Sequence, residues 1–181
     1  MVLNNRYIRF VCLGLLLLSG ILFPSYMMGQ APEHLLKAGF IEKFTHFVEW
    51  PASVQGSEKT MKIAILGKSR IEPALREIFA KTKNPDVSII NITSVQEIEG
   101  CKILFISNTV TPETLDKVLQ YTKGKPVMTI SDTKGYCNKG VLLNMIVVDN
   151  YVRYEINKGV LDVSGLKMSS LLLNSAIIIE K

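Results

Sequence analysis

Histidine is scarce in this chain, and its scarcity removes most metal and acid–base sites. His34 and His46 are the only two histidines among 181 residues, and both lie in one predicted helix. Twelve helical positions separate them by roughly 18 Å, so they cannot bind one metal ion together. A G-x-S-x-G elbow is absent, and neither Cys101 nor Cys137 has an evident histidine partner. The sequence therefore predicts no catalytic residues, no metal and no cofactor.

The glycine-rich loops that bind nucleotides are also missing. The segment KIAILGKS (62–69) ends a predicted strand with Gly67-Lys68-Ser69. A P-loop requires another glycine five positions earlier, where this chain has Lys62. The dinucleotide pattern G-x-G-x-x-G does not occur after this strand either. We interpret the segment as a turn between a strand and a helix.

The amino terminus has the three parts of a secretory signal peptide. Arg6 and Arg9 supply positive charge, and Phe10–Phe23 contains no charged residue. This run of 14 residues is shorter than the roughly 18–20 that a membrane-spanning helix needs. We expect cleavage near Gly29, with residues 1–29 as the signal peptide and 30–181 as the exported domain. An uncleaved membrane anchor is the alternative.

Removing this leader changes the charge and the cysteine count. The basic residues fall from 21 to 19 against 16 acidic residues, so the net charge falls from +5 to +3. With no run of lysine and arginine, this weak excess gives no reason to expect nucleic acid as a partner. Cys101 and Cys137 remain, and in an oxidising compartment they form either one disulfide or two buried thiols.

The exported residues alternate between strand and helix patterns. An amphipathic helix is expected over EHLLKAGFIEKFTHFVEWP (33–51), ended by Pro51. Helices are then expected at 71–81 and after Thr111, and strands at 61–66, 86–92, 102–106 and 126–130. This alternation predicts a single compact α/β domain of three layers, with helices flanking a mixed, mainly parallel sheet.

The pattern changes in the last third of the chain. Two apolar stretches, 141–148 and 151–156, flank the turn-forming pair Asp149–Asn150, so the sheet should end in a β-hairpin. Asn157 should start a short helix. We expect residues 167–179 to form a last, very apolar helix that is either deeply buried or covered by a second protomer.

Two groups of residues are candidates for binding. Aromatic side chains recur along the first predicted helix at Phe40, Phe44, Phe47 and Trp50. Such a ridge belongs either to the core or to a partner-binding surface. Arg153 and Glu155 lie two apart on one strand and so share a face. They form either a surface ion pair, or Arg153 binds a carboxylate on a ligand or partner. Together with Glu49 and Trp50 they would make a charged and aromatic patch that contacts a partner.

Three segments together resemble the YfiR family of periplasmic proteins. They are KAGFIEKFTHFVEWP (37–51), TISDTKGYCNKGVLLNMIVVDNYVRYEIN (129–157) and GLKMSS (165–170). The strands MKIAILG and CKILFIS lie between them in the same order as in the family. The resemblance covers nearly all of the exported domain.

The resemblance implies a compact, commonly dimeric, non-enzymatic α/β domain. It implies repression of a membrane-anchored diguanylate cyclase by binding its periplasmic sensor domain, and hence control of cyclic di-GMP and biofilm formation. A small-molecule module that signals to a histidine kinase is the alternative, because some members bind small aromatic ligands. Ser169 and Ser170, in the matched GLKMSS segment, join the candidate binding residues.

This chain also departs from the family pattern. Leu171 stands where a basic residue often follows the two serines, which weakens a ligand site that depends on that cation. Cys101 and Cys137 each resemble one half of a family disulfide whose other half is absent here. Redox control through those disulfides is therefore not expected of this chain.

Overall fold

The computed structural model describes residues 31–55, 60–82 and 86–180. The predicted signal peptide and its cleavage near Gly29 lie outside these residues. Residues 31–181 form one compact unit. Across the described ranges, no helix has both the length and the hydropathy needed to cross a bilayer.

Helices and strands alternate along most of the described chain. The helices are α1 (Glu33–Phe47), α2 (Ala52–Gln55), α3 (Ile71–Lys81), α4 (Pro112–Thr122), α5 (Tyr136–Lys139), α6 (Lys158–Ser164) and α7 (Ser170–Asn174), with a 3-10 turn at Val95–Ile98. The strands are β1 (Val48–Glu49), β2 (Met61–Leu66), β3 (Val87–Ile92), β4 (Ile103–Ile106), β5 (Met128–Ser131), β6 (Leu143–Val148), β7 (Tyr151–Asn157), β8 (Lys167–Met168) and β9 (Ile177–Ile179).

In the described part of the chain, seven strands form one mixed sheet in the order β3-β2-β4-β5-β6-β7-β9. The first five run parallel, β6 and β7 form an antiparallel hairpin, and β9 is parallel to β7. A separate antiparallel pair joins β1 to β8. The predicted α/β class and the mixed, mainly parallel sheet are therefore confirmed. In one detail the prediction was wrong, because β9 and not the hairpin forms the edge of the sheet.

Helices cover both faces of the parallel strands. Side chains alternate between the two faces along each strand, so each strand contributes residues to both packing layers. Ile63, Ile65 and Phe105 pack on one face with α1 and α3. Ala64 and Leu104 pack on the other face with α4, α5 and the 3-10 turn. The parallel strands thus carry apolar residues at consecutive positions, as buried parallel strands do.

Local signals in the sequence account for several boundaries. Thr111 caps α4 by accepting a hydrogen bond from the Thr114 amide, and Pro112 occupies the first turn. Asn157 caps α6 by accepting from the Val160 amide at 2.9 Å. Asp149 and Asn150 both have positive φ angles, 50° and 63°, which is the backbone of a tight two-residue hairpin turn.

The carboxyl-terminal prediction was wrong. Residues 167–179 do not form one helix but the short strand β8, the five-residue helix α7 and the strand β9. Three consecutive isoleucines favour extended backbone because their β-branched side chains pack well on a pleated surface, and the outer side of β7 accepts them. The first helix also ends earlier than predicted, at Phe47.

Candidate partner-binding surface

Exposed apolar side chains concentrate at one end of the sheet. We call the residues of β6, β7, α7 and β9 the hairpin edge. Nine large hydrophobic side chains are exposed in the described part of the chain, and six of them belong to the hairpin edge. These six are Val147, Val148, Tyr151, Leu171, Ile177 and Ile178. Clusters of exposed apolar side chains often mark surfaces that bind another molecule.

The tip of the hairpin extends beyond the parallel strands. Pairing between β5 and β6 ends where Ser131 lies opposite Asn144, whereas β6 continues to Val148. Pairing of β7 with β9 begins only at Glu155. Strand residues nearer the turn therefore pair with each other alone, and the tip is accessible from several sides.

One face of the tip combines apolar, aromatic and cationic side chains. Val148 lies directly opposite Tyr151 in the register, and both side chains are exposed. On the same face, two pairs further from the turn, exposed Arg153 lies opposite Ile146. This face offers an aromatic ring and a cation side by side, a combination that is frequent among residues that dominate binding energy.

A hydrogen bond joins the two polar residues at the base of this face. Asn144, fully buried, donates from Nδ2 to Glu155 Oε2 at 3.0 Å. Its Oδ1 has no partner among the described residues. The predicted shared face of Arg153 and Glu155 is confirmed by the register, but no ion pair joins them within the described chain.

The opposite face of β7 anchors the carboxyl-terminal segment. The Tyr154 hydroxyl donates to the Leu172 carbonyl oxygen at 3.0 Å and lies 2.7 Å from Ser175 Oγ. The Tyr154 ring also packs edge-on against Phe44, with ring centroids 5.1 Å apart. One side chain therefore joins α1, the hairpin and the segment that contains α7.

The aromatic ridge of α1 belongs to the core. Phe44 is 1% exposed and Trp50 is 6% exposed, and the Trp50 indole N–H donates to the Lys102 carbonyl oxygen at 3.3 Å. Phe40 is partly buried, 6.0 Å from the rings of Phe44 and Tyr154. Of the two interpretations of the ridge, the structure favours the core for Phe44 and Trp50.

The structure does not assemble the predicted patch of Glu49, Trp50, Arg153 and Glu155. Trp50 contacts the residue that precedes β4, at the amino ends of the parallel strands. Arg153 lies on the tip, beyond their carboxyl ends. Glu49 is exposed in β1, opposite Lys167. Spacing along a strand predicts which residues share a face. It does not predict at which end of the sheet a residue from a distant helix will lie.

The two candidate serines have different roles. Ser169 caps α7 by accepting from the Leu172 amide at 3.3 Å, and its own amide donates to the Phe47 carbonyl oxygen at 2.9 Å. Ser170 is exposed at the start of α7, next to exposed Leu171. Ser169 thus holds the chain in place, and Ser170 is accessible to a partner.

No disulfide joins Cys101 to Cys137, and both thiols are buried. The Cys101 thiol donates to the Glu97 carbonyl oxygen at 3.6 Å. Burial, and to a lesser extent the charge of Glu155, raises the pKa of the Cys137 thiol to about 12. A thiol with this pKa stays protonated at neutral pH and is a poor nucleophile.

Sequence reasoning missed Val148 and Tyr151 as surface residues. One signal was present: apolar residues occupy both faces of the hairpin near its turn, in IVVDNYV (146–152). A strand with one solvated face alternates apolar and polar residues. Loss of that alternation beside a turn indicates that the second face is either covered by another part of the protein or used as a binding surface.

Comparison with known proteins gives two findings. The model of DUF4154, described as YfiR/HmsC-like, matches residues 34–177. Among solved structures, the ABC domain from Streptococcus pneumonia in complex with L-Trp is similar, with a TM-score of 0.54 and 12% identity. The match covers 81% of this chain and 62% of that chain. At this identity the likeness shows a shared fold.

Proposed function

The chain belongs to the YfiR/HmsC-like family, as its sequence motifs predict, and from this premise we propose that it is an exported regulator that acts by binding. Its proposed target is the periplasmic sensor domain of a membrane diguanylate cyclase, which it represses. The consequence is control of cyclic di-GMP and of biofilm formation.

The concentration of exposed apolar residues on the hairpin edge carries this proposal. Six side chains of the hairpin edge are exposed although they are large and apolar. Leaving them in water forgoes about 25 cal/mol for each Å² of apolar surface that burial would remove. A protein that binds a partner recovers this free energy in the complex.

The chemistry of the surface favours a folded protein domain as the partner. The tip offers the Tyr151 ring as an anchor, Val148 beside it and the guanidinium of Arg153 nearby. Arginine binds carboxylates in a fixed bidentate geometry. We therefore expect the sensor domain to present an apolar patch that includes at least one acidic residue.

The edge strand β9 supports a related proposal, that the chain forms a homodimer. β9 is the last strand of the sheet, and an edge strand presents backbone groups to which a second chain can pair. The exposed side chains of Ile177 and Ile178 would be covered by such pairing. The dimer would then occupy the β9 side and leave the hairpin tip to the sensor domain.

Deletion of the gene tests the regulatory proposal, with capture of the partner as the second readout. We expect deletion to raise cyclic di-GMP and complementation to restore it. We also expect the chain to bind the periplasmic domain of a GGDEF-containing membrane protein encoded beside it. Unchanged cyclic di-GMP together with no binding would contradict the proposal. Capture of a histidine kinase would instead establish the alternative of a module that signals to a kinase.

A further inference from the structure

A second, polar site lies where the order of the parallel strands reverses. The chain passes from β2 to β3 on one side and then returns to β4 on the other side of β2. In open α/β sheets, ligands bind in the crevice outside the carboxyl ends of the strands at such a switch point. This protein has a cleft of about 590 Å³ at that position, bordered by the residues that follow β2 and by Asn108 and Asp132.

The two loops that form the cleft are fastened to each other. The Lys68 amide donates to Thr109 Oγ1 at 2.9 Å, and the Ser107 hydroxyl donates to the Lys68 carbonyl oxygen at 2.5 Å. Gly67 has a φ of +85°, and a Cβ there would lie 2.7 Å from Thr109 Oγ1. Because glycine permits this close approach, the two loops pack against each other and form the rim of the cleft without a ligand.

A buried lysine lies in the wall of the cleft. The Lys37 side chain is 9% exposed, and its ammonium group lies 2.8 Å from Asp132 Oδ2 and 2.5 Å from Glu33 Oε1. Burial acts to lower the pKa of Lys37, but its hydrogen bonds to Asp132 and Glu33 outweigh burial and raise it. An ammonium group has three protons, and these two carboxylates use two of them.

The rim adds positive charge that no carboxylate pairs with among the residues the structure describes. Lys68 and Arg70 border the cleft and are exposed. Within the described chain neither of them forms an ion pair. Glu33 and Asp132 are the two acidic residues of the lining, and Lys37 already engages both. Three cations against two carboxylates leave one positive charge in excess.

We propose that this cleft binds a small anion with a carboxylate or phosphate group, held by Lys68 and Arg70 and by the third proton of Lys37. The cleft volume suits a small molecule. Because the first glycine of a P-loop is absent, the loop does not wrap a triphosphate, so binding of a nucleoside triphosphate in the P-loop manner is not expected. This proposal goes beyond partner binding and uses none of the residues of the hairpin edge.

The test is an NMR titration of the purified ¹⁵N-labelled protein, expressed from the full chain, with inorganic phosphate and, separately, with succinate. Chloride at matched ionic strength is the reference. We expect saturable shifts in the amides of residues 67–70 and 107–109 with at least one of the two anions. The anion that saturates identifies the chemical group.

Two double variants with the same change in net charge separate a site from general attraction. Lys68→Gln/Arg70→Gln should weaken binding by about tenfold or more, since hydrogen bonds between charged groups are strong. Lys117→Gln/Lys123→Gln alters residues that border other cavities and should leave the affinity unchanged. Shifts that grow without saturation with both anions, or equal weakening in both double variants, would overturn the proposal. Neither result bears on binding at the hairpin edge.

Discussion

The parallel half of the sheet and the hairpin edge are both rich in apolar residues, but the hairpin edge leaves six large apolar side chains exposed, whereas β4 and β5 leave none exposed. All four residues of β4 and all four of β5 are buried, because helices cover both faces. In β9 no residue is buried, and β6 changes from buried to exposed as it approaches its turn. Burial therefore distinguishes the apolar residues that stabilise the fold from those that are available to a partner.

The difference has energetic meaning. Burying a large aliphatic or aromatic side chain stabilises a protein by roughly 1.5–3 kcal/mol. Each side chain of β4 is buried and stabilises the fold in this way, whereas Tyr151, which is 68% exposed, contributes little to the stability of the isolated chain. Substitutions should therefore affect folding in one region and binding in the other.

The largest expected effect is that of Trp50→Ala, which tests whether this aromatic residue belongs to the buried region. The ring is 6% exposed, so its removal should lower the free energy of unfolding by about 3–5 kcal/mol. Urea denaturation measures the change. Tyr151→Ala is the matched control at the hairpin edge, and its cost should stay within about 0.5 kcal/mol. An equal loss of unfolding free energy in the two variants would contradict the distinction between a buried region and an exposed one.

A smaller effect is expected at the turn that shapes the tip. Asn150 has a φ of 63°, a conformation that β-branched residues adopt only with strain. Asn150→Val should therefore cost about 1–2 kcal/mol. Asn150→Gly should be neutral or slightly stabilising, because glycine adopts this backbone without strain. Denaturant unfolding of both variants checks the prediction, and a stable Asn150→Val protein would show that the turn is not formed as described.

The smallest effect on stability is expected for Tyr154→Phe, which tests how the hairpin edge is attached. The variant keeps the ring but loses the hydroxyl that donates to the Leu172 carbonyl oxygen. Loss of one such hydrogen bond should cost about 1 kcal/mol and should accelerate amide hydrogen exchange in residues 170–179. Tyr151→Phe, which removes an exposed hydroxyl, is the control and should change neither quantity. Unchanged exchange in Tyr154→Phe would place the anchor of this segment elsewhere.

Much of the parallel half was predictable because its signals are local. The bounds of β2 and α3 agree with the apolar patterns at 61–66 and 71–81. Thr111 with Pro112 acts through backbone chemistry within a few residues, and outside the parallel half the hairpin turn at Asp149–Asn150 was predictable for the same reason. Each of these signals specifies its element without reference to the rest of the fold.

The hairpin edge was less predictable because its structure depends on distant partners. A short apolar run such as residues 171–179 is compatible with a helix or with a strand, and the open side of β7 decides in favour of β9. The same dependence on distant partners holds outside the hairpin edge for Trp50, which could be core or anchor from sequence alone, since its burial depends on contact with the residue before β4. The exposure of Tyr151 likewise follows from how far the hairpin outruns β5.

The most direct test of the central claim is the affinity of the hairpin edge for the partner's periplasmic domain, measured by calorimetry. Val148→Glu places a charge beside Tyr151 at the tip, and Val163→Glu makes the same change at an exposed valine of α6. Both should leave stability within about 0.5 kcal/mol of the wild type. We predict that Val148→Glu weakens binding by about 30-fold, as expected for a residue at the centre of an interface, and that Val163→Glu binds like the wild type. Wild-type affinity in the Val148→Glu variant would contradict the assignment of the hairpin edge as the partner-binding surface.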